Sequence, residues 1–368
     1  MSSEWGRFFK ISVFGESHGA GIGVAIQGAP AGIPIDQEAL LQFMARRAPG
    51  KDKTSTPRKE SDLPETVSGI FQGRTTGTPI AALIRNQDTR SKDYGELAHT
   101  ARPGHADYTG FLRYGGFQDF RGGGHFSGRL TAPLCYAGGI AKQILASRNI
   151  WVGAHIAQIA GIPDVPFDAA GLDRETLLKP GKSGFPVLDP AAEEKMRAAI
   201  ENARMSQDSV GGIVECAALG FPGGVGSPMF DGIENRAASI LFGIPAVKGV
   251  EFGEGFQAAR LKGSQNNDPF TIVKGEIVSK TNHAGGILGG ISTGMPVLAR
   301  IAFKPTPSIS QSQETVDFIE KKEKELVIQG RHDPCVVVRA VPVVEGAFAI
   351  ALLDCLLEAE GYKHFSKN

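Results

Sequence analysis

Four cysteines in 368 residues (Cys135, Cys216, Cys335 and Cys355) lie far apart and form no C-x-x-C pair. That scarcity excludes a disulfide framework, gives no zinc-ligand spacing, and fits free thiols in a reducing cytoplasm. Charge of one sign is also lacking, because 39 basic side chains meet 39 acidic ones. A nucleic-acid or membrane-surface protein needs a basic face, so neither partner is expected, although a local basic pocket remains compatible with neutrality. Aromatic residues make up only 8%, which counts further against an RNA-binding module. No stretch offers about 18 unbroken apolar residues, so no membrane span is expected. The start, Met1 to Arg7, lacks the basic flank and apolar run of a signal peptide. The expectation is a soluble cytoplasmic protein with no metal site.

Glycine, by contrast, is abundant: 48 residues without a collagen-like period, which implies many tight turns and close backbone approaches. The densest signal runs from Arg102 to Arg129. It reads Arg102-Pro103-Gly104-His105-Ala106-Asp107, then Gly122-Gly123-Gly124-His125-Phe126-Ser127-Gly128-Arg129. Glycine lets backbone approach a ligand and proline stiffens a loop. Arginine grips phosphate or carboxylate in a planar fork, and histidine exchanges protons near neutral pH.

Two more clusters share this chemistry: Gly15-Glu16-Ser17-His18-Gly19 at the end of a strand from Phe8 to Phe14, and Gly330-Arg331-His332-Asp333-Pro334. Gly19 to Gly23 fails as a dinucleotide fingerprint, since the third glycine would fall at Ile26. The basic run Arg46 to Lys59 reads either as a solvated loop or as a mobile lid over an anionic substrate.

Between these clusters the pattern predicts a strand at Val24–Gln27 and a helix from Asp36 as N-cap to Arg47. Strands follow at Val67–Gln72 and Pro79–Arg85. Leu130 to Ser147 is apolar all round, as buried helices are, with Gly138-Gly139 permitting close helix packing. Pro190 to Met205 is an amphipathic helix capped by Asp189. Ile213–Leu219 and Val297–Phe303 are strands, with an Asp231-capped helix to Phe242 between them. Ser310 to Gln329 reads as a helix or as a polar hairpin, and Ala347 to Glu360 as a closing helix. Gly28 to Arg47 echoes Gly220 to Phe242, and Gly73–Ile80 echoes Gly290–Val297, at offsets of 192 and 217. A duplicated unit within a single domain over 1–368 is therefore expected, with halves near 10–150 and 210–350.

In order and spacing, these clusters resemble the chorismate synthase family from about Gly6 to Glu358, together with Ser127 to Thr131, Ser264-Gln265-Asn266 and Asn282 to Gly286. The resemblance implies an α+β fold, a β-α-β sandwich with helices packed between antiparallel sheets, and a homotetramer. It implies a 1,4-anti elimination of phosphate from 5-enolpyruvylshikimate 3-phosphate that needs reduced FMN without net redox change. No separate oxidoreductase module is seen, so an external flavin reductant is expected.

By the same resemblance His105 protonates the departing phosphate, His18 stabilises the reduced flavin, and Asp333 assists proton transfer at its central nitrogen. Ser17, Arg47, Arg102 and Arg129 grip the substrate, and Lys53 stands where relatives often carry arginine. Flavin contacts fall to His125, Phe126, Ser127, Pro245, Ala246, Gly289, Lys304, Pro305, Thr306, Pro307, Ser308 and Arg331. The chain departs from relatives that read Arg-Ser-Ser-Ala-Arg at positions 125–129. Two rivals are a flavin-dependent oxidoreductase acting on an anionic acid, and a phosphate-metabolite binding module without turnover.

Overall fold

The computed structural model describes residues 3–48, 62–86, 98–328 and 333–365, with side chains as far as Gly361. Two five-stranded antiparallel sheets enclose a layer of helices. The first sheet runs in the order Glu4–Trp5, Lys10–Gly15, Gly21–Gln27, Ile80–Arg85, Pro64–Ser68. The second runs Val247–Phe252, Val297–Phe303, Gly212–Leu219, Trp151–Ile159, Ile162–Pro163. Each central strand is apolar toward the helices, and its register is fixed by neighbours on both sides: Val24 faces Val13 and Ala82, and Cys216 faces Ala299 and Ala154. This is the α+β sandwich that the family resemblance implies.

The helix layer is built on Thr131–Ala146 and Val337–Phe365. They meet at glycine: a Cβ on Gly138 would lie 2.2 Å from the Cα of Gly346, and one on Gly139 would strike Leu40. Only residues without side chains let the two backbones approach so closely. The last helix is long and apolar enough to cross a membrane, yet it is almost wholly buried between the sheets. It starts ten residues before the expected Ala347; Pro342 lies in its second turn, where one backbone bond is forfeited but the packing of Val341, Val343 and Val344 outweighs it. The four cysteines are all buried, and burial pushes the Cys135, Cys335 and Cys355 thiols up to about 12.

Other expectations meet the structure with small shifts. Asp36 caps Gln37–Arg47 by accepting from the Ala39 N–H at 2.9 Å, and Asp189 caps Pro190–Met205. Asp231 is not a cap: Gly232 holds that position before Ile233–Phe242, and Asp231 pairs with Arg7 and Arg236 instead. The stretch from Val67 to Gln72 divides into the end of Pro64–Ser68 and a two-residue strand, Ile70–Phe71. The polar stretch after Ser310 is a hairpin of Gln313–Asp317 with Lys322–Leu326. Trp151–Ile159, which no alternation marks, is a central strand buried on both faces.

Two short hairpins, Ile70–Phe71 with Arg74–Thr75 and Ile287–Leu288 with Ile291–Ser292, carry the same turn device. Thr75 donates its hydroxyl to the Pro30 carbonyl at 2.5 Å and accepts from the Ile33 N–H at 3.0 Å. Ser292 donates to the Pro222 carbonyl at 2.6 Å and accepts from the Val225 N–H at 3.0 Å. Backbone bonds repeat as well: Gly32 N–H to Thr75 O at 2.7 Å, and Gly224 N–H to Ser292 O at 2.8 Å.

Candidate active site

A cavity of about 610 Å3 opens where both central helices begin, lined by Thr131 on one and by Val336, Arg339, Ala340 and Val343 on the other. Helix N-termini present unpaired N–H groups and a positive dipole end, which favours anions. Side chains continue the theme. Among the described residues, Arg47, Arg102, Arg129, Lys248, Lys304 and Arg339 line the cavity against a single carboxylate, Asp333. Burial, then the neighbouring Lys248, pull the Lys304 ammonium below its usual range. Such a wall is built for a small polyanion.

His105 supplies the proton chemistry. Its Nδ1 lies 2.7 Å from Asp107 Oδ1. Arg102 brackets the same carboxylate, with Nε 2.7 Å from Oδ2 and Nη2 2.8 Å from Oδ1. Burial opposes ionisation of Asp107, but the bonds from Arg102 and His105 hold its carboxyl well below the usual range. Arg102 Nη2 is nearly equidistant from the two ring nitrogens, 3.1 and 3.3 Å, so it lies over the imidazole face and along neither lone pair. The ring is therefore held by one edge and one face, with Nε2 left toward Gly123.

The triple glycine is what lets the loops close. Gly122, Gly123 and Gly124 all have positive φ. A Cβ on Gly122 would come 2.2 Å from His18 Nδ1, and one on Gly123 would come 3.1 Å from His105 Nε2. Backbone thus packs directly on both imidazoles. The Ser17 N–H donates to Gly124 O at 3.1 Å, and Asn86 Nδ2 donates to Glu16 O and Gly19 O, each at 3.0 Å. His18 is buried behind Ser17, which faces the cavity.

Of the residues expected from sequence, Ser17, Arg47, Arg102, His105, His125, Phe126, Ser127, Arg129, Pro245, Ala246, Lys304, Thr306, Pro307, Ser308 and Asp333 line this one cavity. His18 and Pro305 stand just off its wall. Gly289 lies elsewhere, in the hairpin Ile287–Leu288 with Ile291–Ser292. Lys53 and Arg331 lie outside the described residues, as does most of the basic run expected as a lid. Its first members do not behave as one: Arg46 and Arg47 end a helix, and Arg46 is bound to the buried Glu345 at 3.0 Å. Sequence reasoning gave no role to Asp62, Asn86, Asp107, Lys248 or Arg339. For Arg339 a signal existed, a single charge inside the apolar run Cys335 to Val344.

The cavity is also two-sided. Ile244, Pro245, Val247, Phe303, Ile328 and Val343 form an apolar wall beside the cationic one. Ala246, at φ +73°, turns the backbone so that its carbonyl accepts the Lys304 N–H at 3.0 Å. A flat ring system bearing a phosphate suits such a combination of walls.

A cation-lined cavity with a carboxylate-held imidazole, set in an antiparallel β-α-β sandwich, defines the class as a protein built to hold a small anion beside a proton-exchanging group. The chain belongs to the chorismate synthase family, whose model matches residues 9–357. Chorismate synthase from Pyrococcus abyssi is 50% identical over 352 residues, covering 96% of this chain and 97% of that one. The enzyme from Lancefieldella parvula is 46% identical over 377 residues, covering 98% and 99%. A solved structure, described as the crystal structure of chorismate synthase, superposes with a TM-score of 0.75 at 29% identity over 97% of this chain and 94% of its own. Members of this family are lyases of the shikimate pathway to aromatic amino acids and use a flavin. Their reaction is the 1,4-anti elimination of phosphate from 5-enolpyruvylshikimate 3-phosphate to give chorismate.

Proposed function

We propose that this chain binds reduced FMN and 5-enolpyruvylshikimate 3-phosphate together in the cavity, and that its own side chains carry the family reaction as follows. The observation that supports the reading best is that, among the described residues, six cationic side chains and one carboxylate line the cavity together with a carboxylate-held imidazole. Arg47, Arg102 and Arg129, with Ser17 and Lys53, hold the substrate's phosphate and carboxylates. A phosphate leaves more readily when protonated, and His105 Nε2 is the atom from which that proton passes. Asp107 keeps Nδ1 engaged, so the ring cannot swing its donor away.

The apolar wall with His125 to Ser127, Pro245, Ala246, Lys304 to Ser308 and Arg331 holds the flavin, which supplies electron chemistry that side chains lack; Gly289, away from this cavity, has no part in holding it within one chain. His18 stabilises the flavin's anionic reduced form. Asp333, paired with Arg339 Nη1 at 2.5 Å, is the carboxylate that accepts and returns a proton. The elimination has no net redox change, so the flavin ends each cycle as it began; an external reductant supplies it in reduced form, since no oxidoreductase module is read in the chain. The protein acts in the cytoplasm as a homotetramer; the hairpin Phe270–Val273 with Glu276–Ser279 exposes Phe270, Ile272 and Ile277, an apolar face suited to another copy.

The test is anaerobic. Protein, chemically reduced FMN and 5-enolpyruvylshikimate 3-phosphate are mixed, and chorismate, phosphate and the flavin spectrum are followed. Equal amounts of both products with the flavin still reduced support the reading. Flavin oxidation in step with turnover would replace it with the oxidoreductase, and FMN binding without product would leave a binding module. A parallel arm with NADPH and oxidised FMN asks whether the chain reduces its own flavin.

A further inference from the structure

We propose that Asp62 is a positioning residue that fastens Arg47 and Arg129 into one anion-binding unit. The inference rests on the reading of the cavity as a polyanion site. Asp62 itself does not line the cavity; it stands behind the two arginines that do. Its Oδ2 accepts from Arg47 Nε at 2.8 Å and from the same residue's Nη2, while its Oδ1 accepts from Arg129 Nη1. All three side chains are almost fully buried. Burial works against ionisation of Asp62, but the two guanidiniums hold its carboxyl below the usual range, so it remains the charge between them.

The remaining bonds extend the lock outward. Arg47 Nη1 donates to Thr131 Oγ1 at 3.2 Å, at the start of the central helix. Arg129 Nε donates to Asn86 Oδ1 at 3.2 Å, and Asn86 grips the loop that carries Ser17 and His18. The Arg47 carbonyl accepts from Arg339 Nε at 3.0 Å, and Arg339 pairs with Asp333. One carboxylate thus joins the end of the helix Gln37–Arg47 to the turn that carries Arg129 ahead of the central helix. Asp62 also holds a left-handed φ of +45°, a conformation that costs a side-chain-bearing residue and persists where the surroundings impose it.

Two guanidiniums this close repel unless an anion lies between them. Without Asp62 they would turn to separate acceptors, and the donors facing the cavity would lose their fixed spacing. Simple charge counting predicts the opposite, namely that removing a negative group strengthens anion binding. The two accounts therefore differ in sign.

The experiment is calorimetric titration of inorganic phosphate into wild type, Asp62→Asn and Asp62→Ala, with and without formate. The expected result is phosphate affinity lowered by about ten-fold or more in both variants, the scale of a lost supporting group. Formate should restore much of it in Asp62→Ala, where the vacated space admits a small carboxylate, and should not help Asp62→Asn. Unchanged or tighter phosphate binding in a folded variant would overturn the inference, and so would failure of formate to rescue. If neither variant folds, the coupling is read from phosphate affinities of Arg47→Lys, Arg129→Lys and the double variant. Non-additive losses support the lock, and additive ones overturn it. Phosphate titration needs no turnover, so an inert wild type would refute the proposed function while leaving this inference to be judged on its own data.

Discussion

His105 and His155 are both held by carboxylates, yet the two imidazoles serve different ends. His105 meets Asp107 through one ring nitrogen and is itself a lining residue of the cavity. His155 is fully buried in the second sheet, with Nδ1 3.0 Å from Asp164 Oδ2 and Nε2 2.9 Å from Glu215 Oε2. Its face is closed by the Phe167 ring at 4.5 Å. Register alone creates half of this cluster, because Glu215 and His155 are direct cross-strand partners. Asp164 in turn accepts the N–H groups of Leu188 and Asp189 at 2.7 and 2.9 Å, tying a long connection to the sheet. A ring with both nitrogens spent on carboxylates is a charged brace; a ring with one carboxylate partner at the wall of a cavity can work as an acid. Residue type does not separate them; the number of carboxylate partners and the place beside the cavity do.

The largest effect should come from breaking the cavity member. His105→Ala is expected to lower turnover by roughly 10²–10⁴-fold, the range for a positioned general acid. Flavin binding, read by fluorescence quenching, and melting temperature should stay close to wild type. Turnover within a few fold of wild type would remove His105 from the proposed role.

The buried member should fail in the opposite way. His155→Leu leaves two carboxylates facing each other without their cation, and is expected to cost about 3–5 kcal/mol of stability. Turnover per folded molecule should be kept. The pH dependence carries a sign. Burial works against the charged ring, but bonds to Asp164 and Glu215 outweigh it and raise the folded value above the ordinary 6.5. The brace is therefore fully present below about pH 6.5 and is lost as pH rises through the raised folded value. Denaturant melts of wild type and variant should show their gap narrowing on that alkaline side. A gap constant across pH would mean that the ring is held neutral.

Smaller effects sharpen the contrast in local packing. Gly122→Ala places a methyl 2.2 Å from His18 at a φ of +59°. Left-handed backbone costs about 1–2 kcal/mol, and His18 must also shift, so activity should fall more than stability does. Equal losses would mean that the glycine matters only for its backbone. Smallest, Thr75→Val and Ser292→Ala each leave a loop N–H and a carbonyl without their hydroxyl partner, at roughly 1–3 kcal/mol apiece. Similar costs in chemical denaturation would support an internal duplication of the turn device. A large inequality would make the matched bonds shared turn chemistry only.

Much of this architecture was legible where local chemistry is decisive. Capping aspartates before Gln37 and Pro190, the apolar helix after Leu130 and the glycine pair at its middle each announce themselves within a few residues. The matched turn bonds were legible because partners at Pro30 and Pro222, or Thr75 and Ser292, recur with the same turn residues. Trp151–Ile159 was not, since a strand buried on both faces loses the alternation that marks half-buried ones. The last helix was under-read because Pro342 argues locally against what tertiary packing sustains. Asp231 looked like a cap because its type suits one, but two arginines distant in sequence claimed it.

The sequence by itself determined the family, the cluster of arginines, histidines and glycines, and the order of most elements, because those depend on residue type and near neighbours. Only the tertiary structure decided which charges work and which brace. Asp62, Asp107 and Asp164 are indistinguishable as letters. One becomes the link between two arginines, one the partner of a cavity imidazole, and one the anchor of a sealed cluster. What separates them is the set of groups brought within about 3 Å by segments far away in the chain, and how much water that meeting leaves behind.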